Sequence, residues 1–580
     1  MSRRYFEEEM RYLHEAGKEF AKAHPGQARY LNIDSVADRD PYVERLFEGF
    51  AFLTGRIRER LDDELPQYTE GLFQLLYPHF LKSFPSCSIL QLKPRPGMLQ
   101  ETTVVESGAE VRSTPVGEDG VACQFTTTQP VRVHPLRLEE STLKWEQDGT
   151  SSVTLRFALE RGIEFDKLKL NPLRLFFFAE PAIASMMHLF FTRHVRRVAC
   201  RAGGESIDLT GQEWVRPGGL GLEEGLVPYS KYSFPGFRLL QEYFLFRQKF
   251  WFADLHGLEG LQPPPGTDEF EVQIVFDQPY PEKKRFKTEN IRLYCTPIVN
   301  LFHQDAEPIR IEHLVSEYLV LPSVRYRRSI QVYSVDEVVG IEERTGKRWA
   351  YEPFFSFNRE GPDRRAFTTT TRMAPSDRYE TYIAISGNVG QDLQLPVETL
   401  SLDLTCTNGS VPRERLKEGM INQPSNNIPS VVNLSNLTQP TLDVQPPVHE
   451  HPDFLWQFLS HLSFNRMSVA TTEALRGVLA LYEWTGSQAN QRRLSALRNV
   501  EWRPRETFNR GAILRGAEVV LELEEGHFED EGDLCLFGLV LSEFFSLYAT
   551  INSFVAVTLV LMPSGKRYEW HSKKGQLPPA

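Results

Sequence analysis

At Pro85 the apolar residues of this chain change their period. Upstream they recur every three or four positions, as on one face of an α-helix; downstream they recur every second position, as in a strand with one buried face. The two patterns require different neighbours, so the chain is read as a helical segment followed by strand-rich modules. In the helical part, Phe6, Met10, Leu13 and Phe20 share a face, and Glu7, Glu8 and Glu9 lie where a helix N-terminus favours acids. A second helix is signalled by Asp40 as N-cap and Pro41 at the first helical position, and Val43, Leu46, Phe47, Phe50, Leu53, Ile57, Leu61 and Leu65 give it one apolar stripe. Pro66 ends it after roughly 37 Å at 1.5 Å per residue. Residues 67–81 supply a helical partner, broken near Pro78 and finished by Pro85. The stripe is wider than three short helices can cover, which marks Leu46, Phe50, Leu53 and Ile57 as candidate partner-interface residues.

Beyond Pro85, Val153, Leu155, Phe157 and Leu159 alternate with their neighbours, as do Phe270, Val272, Ile274 and Phe276. Pro217 to Gly221 and Pro263 to Gly266 punctuate these strands as loops, and no regular strand–helix alternation points to a parallel nucleotide-binding sheet. Residues 422–452, rich in Asn, Pro, Ser and Gln, read as an interdomain linker. Helical spacing returns over 454–482, Val519, Leu521 and Leu523 alternate again, and 555–568 reads as a hairpin; Leu536, Phe537, Leu539, Val540 and Phe544 form an apolar helix face destined for a core. The expected fold is therefore multidomain α+β: a helical bundle segment over 1–85, β-rich domains over 86–300 and 301–421, the linker, and an α+β domain over 453–580. A chain of 580 residues supports such a division, since single cores stop growing at roughly 250 to 300 residues.

Composition narrows the function. A net charge of −12 repels nucleic acid and anionic lipid at long range. The start is charged from its third residue and has no apolar h-region, so a cytoplasmic location is expected; the apolar runs 175–179 and 534–541 are far short of the roughly 20 residues a membrane-spanning helix needs. Six scattered cysteines without a C-x-x-C pair suggest buried thiols rather than a zinc site or disulfide framework.

Chemistry-bearing patterns are weak. Gly218, Gly219, Gly221 and Gly225 fail the spacing of a phosphate-cradling loop and read as a flexible loop. His449, Glu450, His451 and Asp453 lack the further ligands of a metal site. The run 522–533 lacks the alternating ligands of a calcium loop, and Lys283, Lys284, Arg285 and Lys287 read as a solvated face. Asn408, Asn433 and Asn436 open glycosylation sequons, which are expected to stay unmodified in a chain expected to be cytoplasmic. No catalytic constellation, metal site or cofactor site is assigned.

Three blocks carry a resemblance: Tyr5 to Leu13 together with Pro41 to Leu81, then Cys295-Thr296-Pro297-Ile298-Val299-Asn300-Leu301-Phe302, then Phe537-Gly538 through Phe544-Phe545 to Asn552-Ser553-Phe554. In order and in extent they resemble the TssF family of type VI secretion baseplate subunits. The resemblance implies a contractile-tail baseplate wedge protein that is not an enzyme. It also implies two copies joining one TssG-like subunit, contacts with TssK-like and TssE-like subunits around a VgrG-like spike, and a cytoplasmic baseplate docked on an inner-membrane complex. The residues alone leave another class open, a β-rich carbohydrate- or peptide-acting enzyme or ligand-binding module, because a carboxylate pair need not show as a linear motif.

Overall fold

The computed structural model describes residues 10, 11, 13, 42, 45–54, 71, 73–230, 233–311, 315–355, 365–374, 378–386, 397–425, 427–449, 471–509, 512–547, 549 and 553–575. The chain divides into two compact units, Met1–Leu81 and Lys82–Ala580. The linker, the boundary near 300 and the C-terminal α+β region of the sequence reading all fall inside the second.

In the first unit, residues 45–54 are helical, as are 10–11, 13 and 73–76. Pro78, expected to break a helix, opens a 3-10 turn, Pro78–Phe80, in which its missing N–H costs nothing. Phe73 lies 6.2 Å from Tyr77 and 6.3 Å from Phe80, ring centre to ring centre.

The second unit is built of sheets. A six-stranded sheet runs in the order Ile421–Pro424, Glu110–Ser113, Gln124–Thr127, Cys295–Val299, Cys87–Pro94, Val432–Asn436. Ile421–Pro424 ends inside 422–452 and Val432–Asn436 lies wholly within it, so the expected linker contributes to a sheet. Its polar composition has a physical explanation. Thr438 and Thr441 side chains satisfy backbone N–H groups of Ile89 and Cys87 at 3.1 and 2.9 Å, and Ser88 and Ser86 hydroxyls donate back to the carbonyls of Thr438 and Thr441 at 2.7 and 2.6 Å. Asn436 accepts from the Ile421 N–H at 2.9 Å and donates to the carbonyls of Lys417 and Thr438. At Asn436, Thr438 and Thr441 polarity therefore means capping a sheet edge, while Asn422, Gln423, Asn427, Ser430, Asn433 and Gln439 are exposed to solvent.

A five-stranded sheet contains the strands Ser151–Leu159 and Glu269–Phe276 at the alternating positions read from sequence, paired antiparallel from Ala158 with Glu269 to Ser152 with Val275. Val153, Leu155, Phe157, Phe270, Val272, Ile274 and Phe276 are all buried. A four-stranded sheet pairs Val215–Pro217, Phe252–Leu255, Leu173–Phe177 and Ile291–Leu293. Helix α1, Pro181–Arg193, packs against both sheets and is buried from Ala184 to Thr192; α2, Pro235–Leu245, follows it.

At Tyr294, the only non-glycine residue with positive φ (59°) among those described, the chain leaves the four-stranded sheet and enters the six-stranded one. From Phe302 it joins an eight-stranded sheet whose core includes Ile311, Val338, Ile383, Leu400, Leu402 and Cys406. The short helix α3, Val411–Arg415, follows.

The C-terminal region carries α4, Thr472–Leu481, α5, Gln488–Ser495, and α6, Glu531–Leu547, with a sheet in the order Leu497–Asn509, Ala512–Glu524, Phe554–Met562, Arg567–Lys574. The middle two strands are parallel, Ala517 opposite Val555, and α6 provides the crossover that a parallel pair requires. This strand–helix–strand unit is a local exception to the absence of alternation read from sequence. Helix α6 packs against α1, α2 and the last two strands, with Leu534 to Leu541 all buried. Gly532 makes that approach possible, because a Cβ there would lie 2.5 Å from the Ser185 carbonyl carbon of α1.

Candidate protein interface and internal ionic clusters

Spacing of four and three residues places Leu46, Phe50 and Leu53 on one side of the helix over 45–54. Their exposures are 60, 54 and 58 %, and Phe52 beside them is 49 % exposed, while Ala51 is fully buried and Phe47 is half-buried. The apolar stripe read from sequence is therefore split: the Phe47–Ala51 side turns inward, and the side carrying Leu46, Phe50 and Leu53 faces out. Ile57, the fourth candidate, lies outside the described residues. Within eight residues, four large apolar side chains are thus left exposed.

Several charged residues in the second unit are buried in ion pairs with one another. Arg174 binds Asp254 through Nε and Nη2, both at 2.7 Å, and reaches Glu224 at 2.8 Å and Gln129 at 2.6 Å. Burial opposes the Arg174 charge, yet Asp254 and Glu224 hold its pKa above the ordinary arginine value. This cluster also corrects the reading of the glycine-rich loop as flexible. Glu224 accepts from the Gly221 N–H at 2.8 Å, Arg238 donates to the carbonyl of Leu222 at 2.7 Å, and a Cβ on Gly219 would lie 2.2 Å from the Lys249 carbonyl oxygen. The loop is pinned, and its glycines serve close packing. Lys249 and Glu242, both with fully buried side chains, form an ion pair beneath it.

A second cluster joins α6 to its surroundings. Asp533 binds Arg493 at 2.8 and 3.1 Å and Arg247 at 2.5 Å, and Arg493 also donates to Asn490 at 2.9 Å. Around it, Lys284 reaches Asp530 at 3.2 Å, Arg285 stacks over Trp145 at 4.5 Å, and Glu531 binds Lys566 and Tyr568. Through Lys284 and Asp530 the basic run near 285 and the acidic run 522–533 thus meet across the fold, while Lys283, Arg285 and Lys287 stay exposed as the solvated face read from sequence. Sequence offered one signal for this: acids in the first turn of a helix otherwise apolar on every side.

Among the described residues, no three His, Cys, Asp and Glu side chains gather as a metal ion would require, and no helix is long and apolar enough to cross a membrane. Of His449, Glu450, His451 and Asp453, only His449 is described, in the turn Pro447–His449. All six cysteines are buried free thiols. Asn408 and Asn436 are 2 and 1 % exposed, which leaves no room for a glycan at either sequon. A cavity of about 560 Å³ is lined by Phe165, Leu168, Leu170, Leu258, Leu261 and a proline run, Pro263 to Pro265, together with Glu164 and Glu259.

Interlocked sheets with buried ionic clusters, and a helix that leaves Leu46, Phe50 and Leu53 exposed, fit a structural subunit of a larger protein assembly. The model of the family described as "Type VI secretion system, TssF" matches residues 2–577. The type VI secretion system component TssF1 of Pseudomonas aeruginosa is 28 % identical over 99 % of this chain and 98 % of its own length. A chain in a cryo-electron microscopy structure of the type VI secretion TssK-TssF-TssG baseplate subcomplex superposes with a TM-score of 0.80 at 35 % identity, covering 93 % of this chain and all of that one. A chain in a type VI secretion baseplate complex superposes with a TM-score of 0.63 at 33 % identity, covering 99 % of this chain and all of that one. The chain belongs to the TssF family, and its role is that of a structural component of the type VI secretion baseplate.

Proposed function

We propose that this chain scaffolds a baseplate wedge, without catalysis of its own, by seating its N-terminal helix face in a helical bundle shared with a TssG-like subunit. The exposure of Leu46, Phe50 and Leu53 carries this reading, since water is a poor permanent neighbour for three large apolar side chains on one helix face. Ile57 continues the same spacing. Similarity to a chain of a TssK-TssF-TssG baseplate subcomplex supports TssG-like and TssK-like partners. A TssE-like subunit, a VgrG-like spike, two copies of this chain per wedge and docking on an inner-membrane complex complete the proposed assembly. Phe50→Asp combined with Leu53→Asp places charge in the seam and abolishes co-purification of the TssG-like subunit. Co-purification at full stoichiometry by a double variant with an unchanged circular dichroism spectrum overturns the assignment of this face.

A further inference from the structure

Far along the chain from the N-terminal stripe lies a surface of different chemistry. It is formed by the turn over 322–330 and the hairpin of strands Ala366–Ala374 and Arg378–Ser386 in the eight-stranded sheet. Between Tyr318 and Val335 the sequence has three arginines, Arg325, Arg327 and Arg328, and no carboxylate. All three are exposed. The turn that presents them is fixed from below. Tyr326 packs on the sheet's core, its carbonyl accepts from the N–H groups of Ser329 and Ile330 at 2.8 and 3.1 Å, and buried Asn408 donates to the Ser329 carbonyl at 2.9 Å.

The hairpin adds two more arginines. Arg378 donates to the Arg327 carbonyl at 2.6 Å, and exposed Arg372 lies one step along the same face of the hairpin. Two carboxylates stand among these five cations: Glu380, 3.2 Å from Arg327 and 3.1 Å from the Tyr382 hydroxyl, and Glu317, 2.8 Å from Arg372. At the border of the turn, Glu307 accepts from the Val324 N–H at 3.2 Å, and Asp119 lies 3.5 Å from the Ser329 hydroxyl. Arg325 and Arg328 have no carboxylate within salt-bridge distance among the described residues; Arg325 rests over the Tyr326 ring at 5.0 Å. Burial, with repulsion from Arg327 and Arg328 and against the pull of Glu380, holds Arg378 below the ordinary arginine value.

Like charges held together on an ordered turn cost free energy that a docked anion recovers, and the ordering entropy of the turn is already spent before binding. The net charge of −12 disfavours long-range capture of nucleic acid or an anionic bilayer. Val324, 68 % exposed beside Arg325, adds an apolar contact, and arginine with an apolar neighbour is the composition of protein interfaces. We propose that this surface docks an acidic polypeptide segment of a partner protein. Arg325, Arg328 and Arg378 receive its carboxylates, and Val324 packs against an apolar residue of the segment.

The test uses the full chain and a fluorescein-labelled peptide of repeated Glu-Glu-Leu units, followed by anisotropy at low and at physiological salt. Wild-type protein binds the peptide, more weakly as salt rises, and R325E/R328E weakens binding by about tenfold or more. R325Q/R328Q, which adds no new charge, weakens it in the same direction. R498E/R503E, on exposed arginines of the C-terminal sheet with 51 and 57 % exposed side chains, leaves it unchanged. An equal loss in that control, no binding by the wild type, or tighter binding of a single-stranded oligodeoxynucleotide that R325E/R328E abolishes overturns the proposal.

Discussion

Asn300 and Asn408 bind each other reciprocally: Asn300 Nδ2 donates to Asn408 Oδ1 at 2.9 Å, and the Asn408 backbone N–H donates to Asn300 Oδ1 at 2.6 Å. Both residues are buried. Asn300 directly follows a strand of the six-stranded sheet, and Asn408 directly follows a strand of the eight-stranded one, so the pair ties the two sheets where the chain passes between them. Asn408 also accepts from the Gln124 N–H at 3.1 Å and donates to the Ser329 carbonyl at 2.9 Å.

Replacing Asn408 with Ala leaves several of these buried groups unpaired and is expected to cost about 2–3 kcal/mol. The midpoint of urea unfolding should fall accordingly. Exposed Asn433, whose side chain accepts only from Arg95 among the described residues, provides the control: its alanine variant is expected to stay within about 0.5 kcal/mol of wild type.

Asp533 offers a second test, because Arg247 follows α2, Arg493 lies on α5, and Asp533 itself begins α6. Removing only the carboxylate, in Asp533→Ala, takes the close partner from two arginines and leaves Arg493, 2 % exposed, only the longer contact to Glu529 at 3.7 Å, and should destabilise by about 3–5 kcal/mol. Replacing Arg493 and Asp533 together with Met and Leu removes the stranded charge at Arg493 and should cost less than the single change. Thermal melts of the three proteins decide this; a double variant worse than Asp533→Ala contradicts the ionic account.

Strands with one buried face were legible because their signal is local: at 151–159 and 269–276 every second side chain meets the core. The helix α6 was legible for the same reason, as apolar residues crowd its whole circumference. Residues 422–452 were misread because a polar side chain looks the same in sequence whether it faces water or caps a strand. Thr438 and Thr441 differ from solvated threonines only in having Ile89 and Cys87 beside them, some 350 residues away. The ionic clusters were hidden in the same way, since Arg174, Glu224 and Asp254 converge from three separate elements. At the candidate interface, spacing revealed the stripe but not its division, because Phe47 and Phe50 are equally apolar and only the packed fold turns one inward and the other out.

Phe544 on α6 is fully buried, with Phe234, Phe237 and Phe545 at 5.9, 6.0 and 5.4 Å between ring centres. Truncation to Ala opens a cavity in a seam between α2 and α6 and should cost about 3–5 kcal/mol. The melting temperature and soluble yield should both fall. Unchanged stability with loss of a baseplate partner would instead make Phe544 an interface residue.

Asp443 ties stability to pH. It precedes Val444, whose backbone N–H and C=O pair with those of Phe84, and its Oδ1 accepts from Gln445 at 3.0 Å. Burial holds its carboxyl up at about 6, from an ordinary value of 3.8, while the nearby polar groups of Ser83, Thr407 and Gln445 pull the other way. Because the folded value is the higher one, the contribution of this group to stability is complete below the unfolded value of 3.8 and is lost as pH rises through about 6. A shift of this size corresponds to at most about 3 kcal/mol between the two limits. Asn at this position keeps one carbonyl acceptor and carries no titrating charge, so Asp443→Asn should gain on the wild type by about 2 kcal/mol as pH rises from about 4.5 to about 7.5, on top of a pH-independent offset from the lost acceptor. Thermal melts of both proteins across that range measure the difference, and a gap between them that stays constant with pH would show that Asp443 does not titrate in the folded protein over this interval.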